Sequence, residues 1–329
     1  MQGKTSSLKL FLATGLVSTF LVLVPLSASA QDYPNKPITI YVGYGVGGTT
    51  DLIARAIATG AEKMLGVPVL VENKTGAAGT VAASLLATKK PDGYSLAVVD
   101  SGTISTTTLL LRVNYDPQKD FTPIMQANRL NAGIVVNSDS PIKNAEDFIA
   151  YAKAHPGMSY SHSGTSSVFQ IAAELFAHSK GLKFKHIPYE GGAQASVALL
   201  GKHCDFHVGT GSHIPYVLQG KFRLIAVVTT DKRDPEFPNI PTLTEIGSED
   251  LPAIGNPYIG PKGMPDAIVN KLNVTFKKIV EAPDFQALLR KLHQPYEYKD
   301  GAQLAKDLPA MTERYKRALN ILGITLQKK

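Results

Sequence analysis

A single cysteine, Cys204, stands in a chain of 329 residues. It excludes an intrachain disulfide, so an oxidising compartment would add nothing to the hold of this fold. Runs of lysine and arginine are also missing, although the formal charge is +7. That balance suits small anionic ligands and argues against a nucleic-acid surface. No G-x-S-x-G elbow is present and the histidines have no diagnostic spacing, which leaves a serine hydrolase without support. The apolar run from Leu10 to Leu26 is broken by Thr14, Ser18, Thr19 and Pro25, so it does not read as a membrane helix.

What is there at the N-terminus reads as a secretory signal. Lys4 and Lys9 precede the apolar run, and Ala28-Ser29-Ala30 offers a small-residue cleavage site ahead of Gln31. No Arg-Arg pair precedes the run, which argues against export of a prefolded, cofactor-loaded protein. No cysteine follows the cleavage site, which argues against a lipid anchor. The expected product is an exported, periplasmic, monomeric protein without cofactor, metal or nucleic acid. Without residues 1–30, which carry two lysines and no acid, 299 residues remain and the formal charge falls from +7 to +5. That length suits two α/β lobes, each with its own core.

From Pro37 onward strand-like and helix-like patterns alternate, as in lobes built from parallel β-α-β units. Strands are expected at 38–42, 67–72, 95–99, 124–128, 133–137, 158–162, 184–188, 205–208 and 224–230. Helices are expected at 51–65, 79–88, 144–155, 168–179 and 192–200. In the first helix Leu52, Ile53, Ala56, Ile57 and Met64 recur at helical spacing and predict its buried face. Residues 234–265 hold Pro235, Pro238, Pro241, Pro252, Pro257, Pro261 and Pro265. So many prolines argue against a long central element and suit a segment crossing between lobes. Helices at 266–280, 285–292 and 301–322 are expected to pack back on the first lobe. The resulting division is 31–130 with 252–329 for one lobe and 131–251 for the other.

Two strand-to-helix junctions carry the candidate chemistry. The first holds Gly43, Gly45, Gly47 and Gly48 between an apolar strand and a helix beginning near Thr50. Gly43-x-Gly45-x-x-Gly48 matches the dinucleotide pattern, and Glu72 ends the next strand where a ribose-binding acid would sit. A nicotinamide oxidoreductase is therefore one reading, opposed by the export signal and by the absence of an obvious catalytic group. A tight turn is a second, with Asp51 favouring the helix dipole and pairing with Arg55, an effect of about 0.3–0.5 kcal/mol. It accounts for Asp51 but not for the row of glycines. The third reading has backbone N–H groups between Gly45 and Thr50 facing a ligand carboxylate. Asp51, being anionic, would then face water, an amine or a polar ligand group. The second junction, Ser163-Gly164-Thr165-Ser166-Ser167, repeats the same plan. His203, Cys204 and His207 suggest a metal, but Cys204 falls on the opposite strand face and no fourth ligand is evident.

Several motifs in order resemble one family. They are Tyr33-Pro34-x-Lys36-Pro37-Ile38, Gly47-Gly48-x-x-Asp51-x-x-Ala54-Arg55, Val71-Glu72-Asn73-Lys74-x-Gly76-Ala77-x-Gly79, Pro91-Asp92-Gly93-Tyr94 and Pro188-Tyr189-x-Gly191-Gly192. Tyr115-Asp116-Pro117-x-Lys119-Asp120-Phe121 and Pro261-x-Gly263-x-Pro265 extend the match over nearly all of the chain after residue 30. Together they resemble the Bug family, the periplasmic solute receptors of tripartite tricarboxylate transporters.

The resemblance implies a two-lobed α/β Venus flytrap, not an enzyme, that holds a carboxylate between two loops and presents it to a membrane permease. It places the first loop on Tyr44, Gly45, Val46, Gly47, Gly48 and Asp51, and the second on Gly164, Thr165, Ser166, Ser167 and Gln170. Ser101 and Thr103 fall on a further strand-end loop, and Thr210 on the polar loop after Asp205. The family's proline-rich first loop is replaced here by Gly43-Tyr44-Gly45-Val46. A histidine before the second helix is replaced by Gln170, and an aromatic is replaced around Gly255-Asn256. Tyr44, Phe169 and Tyr258 are candidates to stack on an aromatic acid, while a di- or tricarboxylate remains equally open. A sensor with the same ligand is a further alternative.

Overall fold

A computed structural model describes residues 33–228, 233–234, 236–249, 251 and 254–326. The signal-like residues 1–30, the end of the strand expected at 224–230, Pro235 and Pro252 lie outside the described residues. The strands are β1 (Ile38–Val42), β2 (Val69–Asn73), β3 (Ser95–Val98), β4 (Phe121–Arg129), β5 (Ala132–Asn137), β6 (Met158–His162), β7 (Phe184–Pro188), β8 (Phe206–Thr210), β9 (Phe222–Val227), β10 (Gly255–Pro261) and β11 (Tyr296–Asp300). The helices are α1 (Thr49–Leu65), α2 (Thr80–Ala87), α3 (Ser101–Ser105), α4 (Thr107–Leu110), α5 (Ala145–Ala154), α6 (Val168–Lys180), α7 (Gly192–Leu200), α8 (Ile214–Leu218), α9 (Asp266–Glu281), α10 (Pro283–Lys291) and α11 (Gly301–Ile321).

The strands form two sheets, ordered β11-β4-β10-β3-β1-β2 and β7-β6-β8-β5-β9. Each has a parallel part, β2-β1-β3 in the first and β7-β6-β8 in the second, extended by antiparallel strands. The expected α/β architecture is thus present, with mixed sheets. Two crossings join the sheets side by side. The Leu130 N–H donates to the Ile254 carbonyl (2.7 Å) and the Val228 N–H to the Ala132 carbonyl (2.8 Å).

Alternation explains β1, where Ile38, Ile40 and Val42 are buried. The face of α1 differs from the expected one. Ile53, Ala54, Ile57, Ala58 and Ala61 are buried, while Leu52 and Met64 are 39% and 47% exposed. Small residues win because α9 packs closely here: a Cβ on Gly60 would come within 2.8 Å of Ile279 Cγ2. The helix stops at Gly66, whose φ of 72° is the left-handed C-cap geometry that glycine adopts without strain.

The proline-rich segment does supply a central element, contrary to the sequence expectation. β10 lies between β3 and β4 although it contains Pro257 and Pro261. Its ladder to β3 is confined to Tyr258 and Ile259, and a register shift between Gly255 and Pro257 interrupts the ladder to β4. The missing proline donors therefore fall at irregular positions. Helix α11 also departs from expectation. It lies on β4 and α3 of the first sheet, yet Tyr315, Ala318 and Leu319 near its end join the core that includes Phe169, Phe176 and Phe206 of the second.

Candidate functional site

The first glycine loop leaves β1 at Gly43, where a Cβ would come within 2.9 Å of Gly79 Cα. Tyr44 is buried, with its hydroxyl 3.0 Å from Thr103 Oγ1, 3.4 Å from the Ala78 carbonyl and 3.4 Å from the Asp100 N–H. Burial first, and the nearby Asp100 charge second, push this phenol well above its usual range. The Gly45 N–H donates to the Glu190 carbonyl (3.3 Å), and the Gly48 N–H to the Gly45 carbonyl (3.3 Å). The Gly45 bond closes the cleft between the two sheets' loops.

Asp51 is 1% exposed, and its carboxylate faces back into the loop. Oδ2 accepts from the Gly47 N–H (2.9 Å) and Arg55 Nε (3.0 Å). Oδ1 accepts from Arg55 Nη2 (2.9 Å) and Asn73 Nδ2 (2.8 Å). Asn73 also donates to the Tyr44 carbonyl (2.9 Å). Burial works to raise this acid, but hydrogen bonds from Arg55, Gly47 and Asn73 outweigh it and hold the carboxyl below the usual range. Asp51 is therefore a brace for the loop, in place of the ligand contact expected from sequence. The clamp is also narrower than expected, since Gly45, Gly47 and Gly48 already have carbonyl or carboxylate partners. Thr49 and Thr50, both buried, open α1, where N–H groups lack an intrahelical acceptor. Val46 is 70% exposed and lines none of the cleft cavities described below.

The second loop is braced by neutral groups. Ser167 caps α6 by accepting the Gln170 N–H (3.3 Å), and Gln170 Oε1 accepts the Ser166 N–H (2.7 Å). The Ser166 backbone has φ 63°, a left-handed value uncommon outside glycine. Thr107 Oγ1 donates across to the Ser166 carbonyl (3.2 Å). Gly164, at φ 110°, lies so close to the first half that a Cβ would come within 2.9 Å of the Ala78 nitrogen. Ser166, Ser167 and Gln170 thus shape the loop, while Ser163, Gly164 and Thr165 face the cleft.

Three cavities follow one another along this cleft. The largest, about 530 Å³, is walled by residues 76–79, 163–165 and 188–190 with Gln194. A second of about 290 Å³ includes Thr49, Leu52, Val197 and Ser212. Between them is a chamber of about 10 Å³ lined by Tyr44, Gly48, Thr49, Thr50, Asp100, Ser163, Gly192 and Thr210. It shares Ser163 with the first cavity and Thr49 with the second. Thr210 is thus on the wall of this chamber. Thr103 reaches the site only through Tyr44 and the Ala78 carbonyl, to which it donates at 2.8 Å. Ser101 turns away, accepting the Gly255 N–H (3.2 Å).

Two of the candidate stacking rings are elsewhere. Phe169 is in the second core and Tyr258 stands edge-on to Phe276, both 0% exposed. Tyr189 is the ring on the wall of the largest cavity. Residues 76–79 and 188–194 were present in the sequence as motifs, but their place in the cleft was not legible. The left-handed backbone of Ala77 and Ala78, φ 45° and 53°, marks the first of these loops as strained. Asp100 gave no motif at all. The dinucleotide reading loses its geometry: the Gly45 and Gly47 N–H groups already have partners, and Glu72 pairs with Lys74 (2.9 Å). His203 is exposed, whereas His207 is buried with Nδ1 3.0 Å from Ser161 Oγ.

Residues 53–324 match the model of TctC, the tripartite tricarboxylate transporter family receptor. The UPF0065 protein in the gbd 5'region of Cupriavidus necator is 36% identical over 314 residues, covering 95% of each chain. Among solved structures, R. palustris Rpa4515 with adipate superposes with a TM-score of 0.83 at 28% identity, covering 89% of this chain and 99% of that one. The periplasmic binding protein BugD also gives 0.83 at 28% identity, over 90% and 100% of the two chains.

Proposed function

Because the chain belongs to the tripartite tricarboxylate transporter receptor family, and is a carboxylate-binding receptor of that class, we propose how it works: it closes its two halves on a small organic acid and hands the acid to membrane permease subunits. The halves are residues 31–130 with 252–329, and residues 131–251. The observation that carries the reading is the run of cavities between strand-end loops of the two sheets, with residues 76–79 facing 163–165 and 188–190 in the largest and Gly48–Thr50 facing Ser163 in the small chamber. A cavity of about 530 Å³ is within the range of small-molecule sites, about 300–1,000 Å³.

The mechanism is differential binding. Contacts from both loops exist together only when the halves meet, so a ligand that uses both shifts the population toward the closed form. The Asp51–Arg55 pair supports this: it fixes the loop while cancelling the acid's charge beside an incoming anion. Thr49 and Thr50 N–H groups supply the favourable end of α1 for the carboxylate. Phe169 and Tyr258 lie in the cores, so Tyr189 on the wall of the largest cavity is the ring open to an aromatic acid, and aliphatic and aromatic acids are both admitted. The N-terminal signal pattern makes the periplasm the place where this happens, as for BugD.

A thermal-shift panel of mono-, di- and tricarboxylates and aromatic acids tests the proposal. Members of the panel that fit the site should raise the melting temperature in a concentration-dependent way, and chromatography should return them unchanged. Chemical turnover of a bound acid, or a response to NAD in place of acids, would overturn it.

A further inference from the structure

The small chamber between the two larger cavities contains one acid that none of the loop chemistry uses. Asp100 is 4% exposed and stands between β3 and α3, at the N-cap position of α3, on the chamber wall with Tyr44, Thr50, Ser163, Gly192 and Thr210 around it. Its side-chain partners donate to it. Asn256 Nδ2 donates to Oδ1 at 3.1 Å while also lying 3.3 Å from Thr50 Oγ1, and the Tyr44 hydroxyl reaches the same carboxyl. Neutral donors thus orient a carboxylate, yet among the described residues no cation forms an ion pair with it. Asp51, one loop away, is the contrast, because Arg55 covers it on both oxygens.

We infer that Asp100 is a specificity-determining residue for the receptor's ligand, and that it recognises an ammonium group, so that the preferred solute is an amino-bearing carboxylate. The inference rests on the receptor reading above. The chamber has room for a group about the size of one water, which matches an ammonium and excludes a larger substituent. An acid buried without a counter-charge is costly, and a ligand cation would remove that cost when the halves close. The ligand body then extends past Ser163 into the 530 Å³ cavity.

The surroundings give the pH dependence its sign. Burial pushes the Asp100 carboxyl up to about 7, against the lowering effect of the Tyr44 and Asn256 hydrogen bonds. The titratable groups facing it are Tyr44 from the first loop and Tyr315 from α11, both pushed up by burial and by Asp100 itself; Arg314, next to Tyr315, acts on that phenol. From the second half, uncharged Ser163, Gly192 and Thr210 close the chamber. Raising the pH from 6 to 8 therefore ionises Asp100 while a ligand ammonium stays charged. Affinity for amino acids should rise over this interval, and affinity for the same acids without the amine should fall.

The test is calorimetry with succinate, glutarate and adipate, each beside its 2-amino analogue, on the full chain and on Asp100→Asn. At pH 8 at least one amino member should bind about tenfold or more tightly than its partner, and the preference should shrink at pH 6. In Asp100→Asn, shown to be folded by circular dichroism, the preference for the amino member should disappear at both pH values. A wild-type preference for the unaminated members, or an amine preference that survives Asp100→Asn, would overturn the assignment and leave the receptor reading intact. Failure of every acid to bind the wild type would overturn both.

Discussion

The two cleft loops are built to one plan and braced by opposite chemistry. Each leaves the end of a parallel strand, turns on small residues and opens a helix. In the first, an ion pair buried on its Asp51 side supplies the stiffness, with Asp51 between the Gly47 N–H, Arg55 and Asn73. In the second, Ser167 and Gln170 supply it with neutral hydrogen bonds. An ion pair holds geometry firmly, but only if both partners are present, because a lone buried charge is strongly unfavourable. Neutral bonds hold less firmly and fail more gently. The first loop should therefore tolerate little change, and the second should tolerate loss of a single brace unless its close approach to the first half is altered.

That approach is where the largest effect is expected. Gly164→Ala puts a Cβ at φ 110° and within 2.9 Å of the Ala78 nitrogen across the cleft. Each sheet can still form, but the halves can no longer meet. Carboxylate affinity should fall about 100-fold, roughly 2.7 kcal/mol, and small-angle scattering should show no compaction on adding ligand. Wild-type affinity with normal compaction would mean that closure does not depend on this contact. Gly48, whose added Cβ would meet only the Gly45 carbonyl oxygen at 3.3 Å, is a less decisive position than its place in the motif suggests.

Next in size is Asp51→Ala. Removing the acid frees the Gly47 N–H, while Asn73 and half-exposed Arg55 lose Asp51 but keep their mutual 2.9 Å bond; stability by urea unfolding should fall by about 1–3 kcal/mol. The pH dependence has a definite sign. Asp51 titrates below its ordinary value in the folded chain, so its contribution is complete above the usual carboxylate range and is lost as the pH falls through the lowered folded value. Wild type and variant should therefore converge in acid. Affinity should drop evenly across ligands with and without a polar group beside the clamped carboxylate. A loss confined to the polar ligands would return Asp51 to direct contact.

How much of this was legible beforehand varies with the physical signal. Alternation in Ile38-Thr39-Ile40 and the glycines after it gave β1, the loop and α1, because those constraints are local. β11 escaped notice because Tyr296–Asp300 is a polar edge strand, where charge guards against further pairing and hides the apolar alternation. β10 escaped because its prolines fall where ladders are irregular, which only the neighbouring strands decide. At the site, the motif glycines were visible, but the direction of Asp51 was not: sequence spacing fixes its pairing with Arg55, not whether the carboxylate faces ligand or loop. Asp100 carried no motif, and its burial depends on Asn256 more than a hundred and fifty residues away.

The smallest expected effect is in the second loop, where Gln170→Ala isolates one neutral brace. The Ser166 N–H loses its 2.7 Å acceptor, but Ser166 is half-buried, so water can replace the amide. The Ser167 cap of α6 remains. Stability should fall by about 0.5–1.5 kcal/mol, and affinity by no more than a few-fold, since the left-handed Ser166 backbone becomes less strictly held without being displaced. The direct comparison is with Asp51→Ala under the same denaturant series. A Gln170 loss equal to the Asp51 loss would mean that the second loop, too, depends on a single bond, and that the difference in charge between the braces is not what makes the loops unequal.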